Sequence, residues 1–125
     1  MNERPKILYV DDEEINTTVF QLTFSNIFEV VTAGSGETGI EVFRADPDIK
    51  FVISDMRMPL MSGLEFIREI KTYSANIPCT IMSGYQQGPE ITEAIAKGEI
   101  VDYMTKPFNK RAIEQLVKKH INGAS

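Results

Sequence analysis

Lys6-Ile7-Leu8-Tyr9-Val10-Asp11-Asp12-Glu13-Glu14 is a short apolar run that ends abruptly in four acids. An almost continuously apolar run of this length reads as a parallel strand covered on both faces, not as a half-exposed antiparallel one. Four further short runs are rich in Val, Ile and aromatics, several of them almost continuously apolar: Phe28–Ala33, Phe51–Asp55, Ile77–Met82 and Ile100–Met104. Segments with helical spacing follow each of the five. Glu13–Asn26 sets Ile15, Val19 and Leu22 on one stripe, and Ser35–Ala45 offers Ile40, Phe43 and Val42. Ser62–Tyr73 aligns Leu64, Ile67 and Ile70, while Pro89–Lys97 carries Ile91 and Ile95 behind a first-turn proline. The last, Asn109–Ile121, opens on an Asn cap and carries Ile113, Leu116, Val117 and Ile121. Five alternations of strand and helix predict a single doubly wound five-stranded parallel α/β sheet with five helices.

The rest of the composition agrees with one such domain over residues 1–125. A content of 42% hydrophobic and 25% charged residues excludes disordered and fibrous classes. No run approaches the roughly 18 apolar residues of a membrane helix. No apolar segment follows Met1–Pro5 to make a secretory signal, and the one cysteine, Cys79, excludes an internal disulfide. These features predict a cytoplasmic protein. The net charge of −5 argues against direct nucleic-acid binding. Charge is uneven, because Lys106, Lys110, Arg111, Lys118 and Lys119 face only Glu114 after residue 105. Lys118, Lys119 and His120 read as a helix end complementing its dipole before a Gly123 cap.

Ligands of such sheets lie outside the carboxyl ends of the strands, where strand order reverses. There the first strand ends in Asp11 and Asp12, the third in Asp55 and the fourth in Ser83; Thr105-Lys106-Pro107 follows the fifth. If the first and third strands are neighbours, three carboxylates, a hydroxyl and an ammonium share one cleft. Oxygen ligands at that density suit Mg²⁺ or Mn²⁺. Glu13 and Glu14 are adequately explained as acids at a helix start. A carboxylate beside such a cation can act as nucleophile towards phosphorus, with a lysine opposite to pair with phosphoryl oxygens.

Tyr9-Val10-Asp11-Asp12-Glu13, Ser54-Asp55-Met56-Arg57-Met58-Pro59 with Gly63, Ile81-Met82-Ser83-Gly84 and Asp102-Tyr103-Met104-Thr105-Lys106-Pro107-Phe108 together resemble the receiver domain of two-component response regulators. The resemblance covers essentially the whole chain. It implies a flavodoxin-like strand order 2-1-3-4-5 and a signalling phosphoacceptor, not an enzyme acting on other substrates. Asp55 is the implied acceptor of a phosphoryl group from a sensor histidine kinase or histidine phosphotransfer protein. Asp12, Asp55 and the Arg57 backbone carbonyl are the implied Mg²⁺ ligands, with Asp11 helping directly or through water. Lys106 pairs with the phosphoryl group across a cis peptide to Pro107. Ser83 binds a phosphoryl oxygen, and Tyr103 turns inward as Ser83 moves. The output is a further domain or a partner protein, and homodimerisation on phosphorylation is open to it.

Several features lie outside that pattern or compete with it. Gly98 in Lys97-Gly98-Glu99-Ile100-Val101-Asp102-Tyr103 stands one residue early, which predicts an altered loop before the fifth strand and leaves the family's dimer contacts unassigned. Gly34-Ser35-Gly36-Glu37-Thr38-Gly39 matches a dinucleotide-binding pattern, but it follows the second strand, and Glu37 occupies the helix start a pyrophosphate needs. Its glycines are read as turn and helix-entry residues. A flavodoxin-like electron carrier would need a hydroxyl- and amide-rich first loop, and a haloacid-dehalogenase-type phosphatase an Asp-x-Asp on the first strand; neither is present. The ending Gly123-Ala124-Ser125 reads as the start of a linker. Ile15 and Val19, with Pro107-Phe108 at the edge, are either the kinase-docking surface or simply core. Arg57 and Tyr85 are expected to shield the phosphoryl group from water, with Gly84 leaving its entry open, and so to prolong the phosphorylated state.

Overall fold

The computed structural model describes residues 4–122; the Gly123 cap and the linker-like ending lie outside the described residues. Its elements are β1 (Lys6–Val10), α1 (Glu14–Phe24), β2 (Glu29–Ala33), α2 (Gly36–Ala45), β3 (Ile49–Ser54), α3 (Gly63–Lys71), β4 (Cys79–Ser83), α4 (Pro89–Ala96), β5 (Asp102–Thr105) and α5 (Lys110–Asn122). All neighbouring strands are parallel in the order β2-β1-β3-β4-β5, the flavodoxin-like arrangement. Chain order reverses direction between β1 and β3, so the carboxyl ends of these two strands frame the crevice such sheets use for ligands. Among the described residues no helix is long and apolar enough to cross a membrane.

Side chains alternate across each strand, so each strand feeds both faces. Leu8, Val10 and Val52 join Phe43, Leu64, Ile67, Ile70, Ile91 and Ala94 beneath α2, α3 and α4. Ile7, Tyr9, Phe51 and Ile53 join Phe20, Phe24, Phe28, Ile113 and Val117 beneath α1 and α5. Burial on both faces is why the inner strands β1, β3 and β4 lack apolar–polar alternation.

Helix α1 turns its aliphatic stripe away from the core. The stripe Ile15, Val19 and Leu22 faces solvent, with Ile15 71% and Leu22 74% exposed. Its buried residues are Phe20 and Phe24. Phe20 lies parallel to Tyr9 at 4.1 Å between ring centroids, and Phe108 packs edge-on against Phe20 at 5.6 Å. Three large rings fill this layer, which leaves no room under the sheet for the smaller aliphatic stripe.

The local chemistry at the other helix starts is as expected. Ser35 accepts from the Thr38 amide, Ser62 and Glu65 form a reciprocal capping box, and Asn109 Oδ1 accepts from the Ala112 amide at 2.9 Å. Gly98 closes α4. With φ of +77° it sends the Glu99 amide to the Ala94 carbonyl and its own amide to Ile95, the double bond of a Schellman motif. A two-point Arg68–Glu99 pair at 3.1 Å ties the loop that follows to α3.

The glycine-rich stretch serves packing. A Cβ on Gly36 would lie 2.7 Å from Met61 Sδ, and one on Gly39 2.8 Å from Phe66 Cε1. Gly39 is thus not a turn or entry residue: it lies within α2 and lets α2 and α3 approach closely.

Candidate functional site

Four strand ends bring the site together. Asp11 follows β1, Asp55 follows β3, Ser83 ends β4 and Lys106 follows β5. Two amides continue the ladder past the strand ends: Asp11 N–H donates to Ala33 O at 3.1 Å and Asp55 N–H to Val10 O at 2.9 Å. Both aspartates are therefore held by rigid backbone. Asp11 and Ser83 are each 1% exposed, Asp55 is buried, and Asp12 stands open to solvent.

Carboxylate oxygens of Asp11, Asp12 and Asp55 lie within 4.8 Å of one another. Lys106 Nζ sits between two of them, 2.7 Å from Asp11 Oδ2 and 3.3 Å from Asp55 Oδ2. Asp55 Oδ1 also accepts from the Met56 amide at 2.8 Å. Burial raises the Asp55 carboxyl above its ordinary value; Lys106 pulls it down, and the neighbouring charge of Asp11 pushes it up again. Burial would lower the Lys106 ammonium, but its hydrogen bond to Asp11 and the charges of both aspartates outweigh that and raise it. The lysine stays charged while the Asp55 carboxylate is crowded by the charge of Asp11. A folded value above the unfolded one makes the ionised Asp55 a destabilising group, whose cost appears as pH rises through the usual carboxylate range. A cation placed among the three carboxylates would remove that cost. The cluster found among the described residues is made of carboxylates alone, two buried and one exposed, and such a set fits a hard divalent ion.

The sequence-selected residues around this centre are arranged in two groups. Arg57 turns its guanidinium over the Tyr85 ring, 4.0 Å from the centroid, and both side chains line the cleft with Asp12, Asn16, Gly84 and Lys106. Tyr103 is half-buried and donates its hydroxyl to the Tyr85 carbonyl, so β5 is latched to the loop after β4. Ser83 Oγ accepts from the Tyr85 amide at 3.4 Å. The Lys106–Pro107 peptide is cis. Pro107 and Phe108 line a separate apolar pocket with Tyr9, Asn16, Val19 and Lys106, beside the exposed stripe of α1.

Three residues take parts here that the sequence reading did not give them. Tyr9 donates its hydroxyl to Asp11 Oδ2 at 2.8 Å, and Asn16 Nδ2 donates to the same oxygen at 3.2 Å. Burial, and then the Asp11 charge, push the Tyr9 phenol far above its ordinary value, so it remains a donor. A signal existed: Tyr9 and Asp11 are two apart on one strand and share a face. Gly63 is the third, because its helix start presses directly on the Asp55 backbone.

A family model for the response regulator receiver domain matches residues 7–118. The regulatory protein AtoC of Escherichia coli (strain K12) is 30% identical over 115 residues, which are 91% of this chain and 24% of AtoC. The two-component response regulator ORR5 of Oryza sativa subsp. japonica is 28% identical over 118 residues, covering 92% of this chain and 87% of ORR5. The chain thus spans about a quarter of one relative and most of the other. A response regulator receiver domain protein from Clostridium thermocellum superimposes with a TM-score of 0.88 at 29% identity, with 95% of each chain covered. With the sheet order, the acidic strand ends and a family match over nearly all of its length, this chain belongs to the response regulator receiver domains of two-component systems.

Proposed function

We propose that residues 1–125 act as one phosphoacceptor domain that takes a phosphoryl group onto Asp55 from a sensor histidine kinase or histidine phosphotransfer protein. The observation that carries this reading is Lys106 Nζ bridging Asp11 and Asp55 beside a three-carboxylate oxygen cluster. An Asp55 carboxylate oxygen forms the new phosphorus–oxygen bond as the phosphorus–nitrogen bond to the donor histidine breaks. The electron pair of that bond stays with the departing imidazole. The domain is consumed stoichiometrically, so it is a signalling acceptor, not an enzyme turning over a substrate.

Mg²⁺, or Mn²⁺ in its place, would be held by Asp12, Asp55 and the backbone of Arg57 with help from Asp11, and would supply charge neutralisation for the transferring group. The protein groups do the rest. Lys106 turns from the two aspartates it bridges to a phosphoryl oxygen on Asp55, a charge-assisted bond stronger than a neutral one. The Ser83 hydroxyl binds a second oxygen. Movement at Ser83 pulls on Tyr85, and the Tyr103 latch carries that pull to β5. The β5 edge then reports the phosphorylated state to an attached output domain, a partner protein or a second copy.

The exposed Ile15, Val19 and Leu22 stripe beside the Pro107–Phe108 pocket supports docking of the phosphodonor there over a core role. Intact-mass measurement after incubation with Mg²⁺ and acetyl phosphate tests the reading. One added phosphoryl group, absent in Asp55→Asn, is expected; equal labelling of that variant would falsify the assignment.

A further inference from the structure

Asp11 Oδ2 carries three donors at once: Lys106 Nζ at 2.7 Å, the Tyr9 hydroxyl at 2.8 Å and Asn16 Nδ2 at 3.2 Å. The other oxygen, Oδ1, accepts from the Glu13 amide at 3.0 Å. A carboxylate offers about four lone-pair sites, two on each oxygen, so Oδ2 is fully used while Oδ1 keeps one side open. It is also fully buried, and an unpaired buried charge is costly. Any rearrangement that takes Lys106 away from Asp11 must leave enough donors behind. The two neutral donors on the same oxygen meet that need, and Tyr9 is the better placed. Its ring is stacked on Phe20 with parallel planes and is 2% exposed, so its hydroxyl has a fixed position and no competing solvent.

We infer that Tyr9 is a positioning residue whose hydroxyl holds the Asp11 carboxylate so that Lys106 can leave it for the phosphoryl group on Asp55. This inference rests on the phosphoacceptor reading of Asp55. In the resting domain Lys106 is shared between Asp11 and Asp55. As the phosphoryl group arrives, Lys106 turns wholly to the Asp55 side, and Tyr9 and Asn16 remain on Asp11. Without the Tyr9 hydroxyl, Lys106 becomes the chief donor on a buried anion and is retained there.

Two opposite consequences follow from removing that hydroxyl. The resting cluster loses compensation for its charge, so an added cation is welcomed more strongly. Lys106, by contrast, is less free to serve the phosphoryl group, so transfer slows. A site that had merely loosened would weaken in both respects.

The experiment titrates Mg²⁺ alone into the parent, Tyr9→Phe and Asn16→Ala by calorimetry. It then times acetyl phosphate labelling at saturating Mg²⁺ by intact mass, the acetyl phosphate P–O bond breaking and acetate leaving as Asp55 is phosphorylated. Tyr9→Phe is expected to bind Mg²⁺ about fivefold more tightly and to label about tenfold more slowly, as loss of one hydrogen bond to a charged group implies. Asn16→Ala is expected to shift both in the same directions by less. Should Tyr9→Phe fail to fold, Asn16→Ala, on a half-buried helix position, decides alone. Parallel weakening of Mg²⁺ binding and labelling, or no change in either, would overturn the inference while leaving the acceptor assignment intact. A parent that takes no label at all would instead overturn the acceptor reading, and this inference with it.

Discussion

Replacing Gly63 by alanine perturbs the acceptor from below. The Gly63 amide donates to the Met56 carbonyl at 2.8 Å, pinning the start of α3 to the loop that carries Asp55 and Arg57. A Cβ there would lie 2.2 Å from the Asp55 carbonyl oxygen and 2.9 Å from Ile81 Cδ1, where real Cβ atoms keep at least 3.0 Å. The end of the Ile81 side chain can rotate away. The Asp55 carbonyl cannot, because its amide is fixed to Val10 by continuation of the sheet. Helix and acceptor backbone must therefore separate by close to an ångström. Overpacking of this kind costs about 1–3 kcal/mol, and a strained Gly63–Met56 hydrogen bond adds about 1 kcal/mol. Alanine's better helix propensity offsets less than about 1 kcal/mol of that. A net loss near 2 kcal/mol lowers the melting temperature by roughly 6–10 °C in a domain of this size. Displacing a reacting carboxylate by about 1 Å slows transfer on the order of 100-fold. Thermal unfolding and timed acetyl phosphate labelling measure both, with Gly34→Ala as the control, since a Cβ at Gly34 meets nothing within 4 Å. A Gly63→Ala protein that melts with the parent and labels at its rate would refute the reasoning.

The remaining predictions concern the site's rim. Asp12→Ala should abolish measurable Mg²⁺ binding in calorimetry, whereas Glu14→Ala should change it less than about twofold, because Asp12 belongs to the oxygen cluster and Glu14 only opens α1; equal losses would mean diffuse charge. Ile15→Ser should leave the melting temperature within about 2 °C, as surface changes do, yet slow transfer from a phosphorylated histidine donor and not from acetyl phosphate. Replacing Arg57 and Tyr85 together by serine removes the stacked pair across the cleft and should shorten the lifetime of the phosphorylated protein by about tenfold or more, through freer entry of water in line with the phosphorus–oxygen bond. An unchanged decay of label would show that the pair shields nothing.

Sheet and cleft were legible in the chain because their signals are short-range. Continuous apolar runs mark strands buried on both faces, and a charge at the end of such a run has only the strand edge to occupy. The face of α1 was not legible. Ile15, Val19 and Leu22 have helical spacing, but so do Phe20 and Phe24, and only the fit of Phe20 against Tyr9 and Phe108 decides which face turns inward. β4 and β5 begin two residues later than their apolar runs, since Ile77 and Ile100 are buried before strand pairing starts. Gly36 and Gly39 show the same limit. Their meaning lies in Met61 and Phe66, more than twenty residues away. The Tyr9–Asp11 bond was hidden because a tyrosine in an apolar strand is fully accounted for by its ring.

The central claim, that Asp55 and not a neighbouring carboxylate becomes the acyl phosphate, is tested most directly by chemical trapping at single-residue level. Borohydride reduces an acyl phosphate to the alcohol, so protein treated with Mg²⁺ and acetyl phosphate, reduced and digested, carries homoserine wherever the phosphoryl group stood. Homoserine at position 55 alone, dependent on Mg²⁺ and greatly diminished in Lys106→Ala, is the predicted result. Homoserine at position 11 or 12, or an equal yield without Mg²⁺ and Lys106, would contradict it.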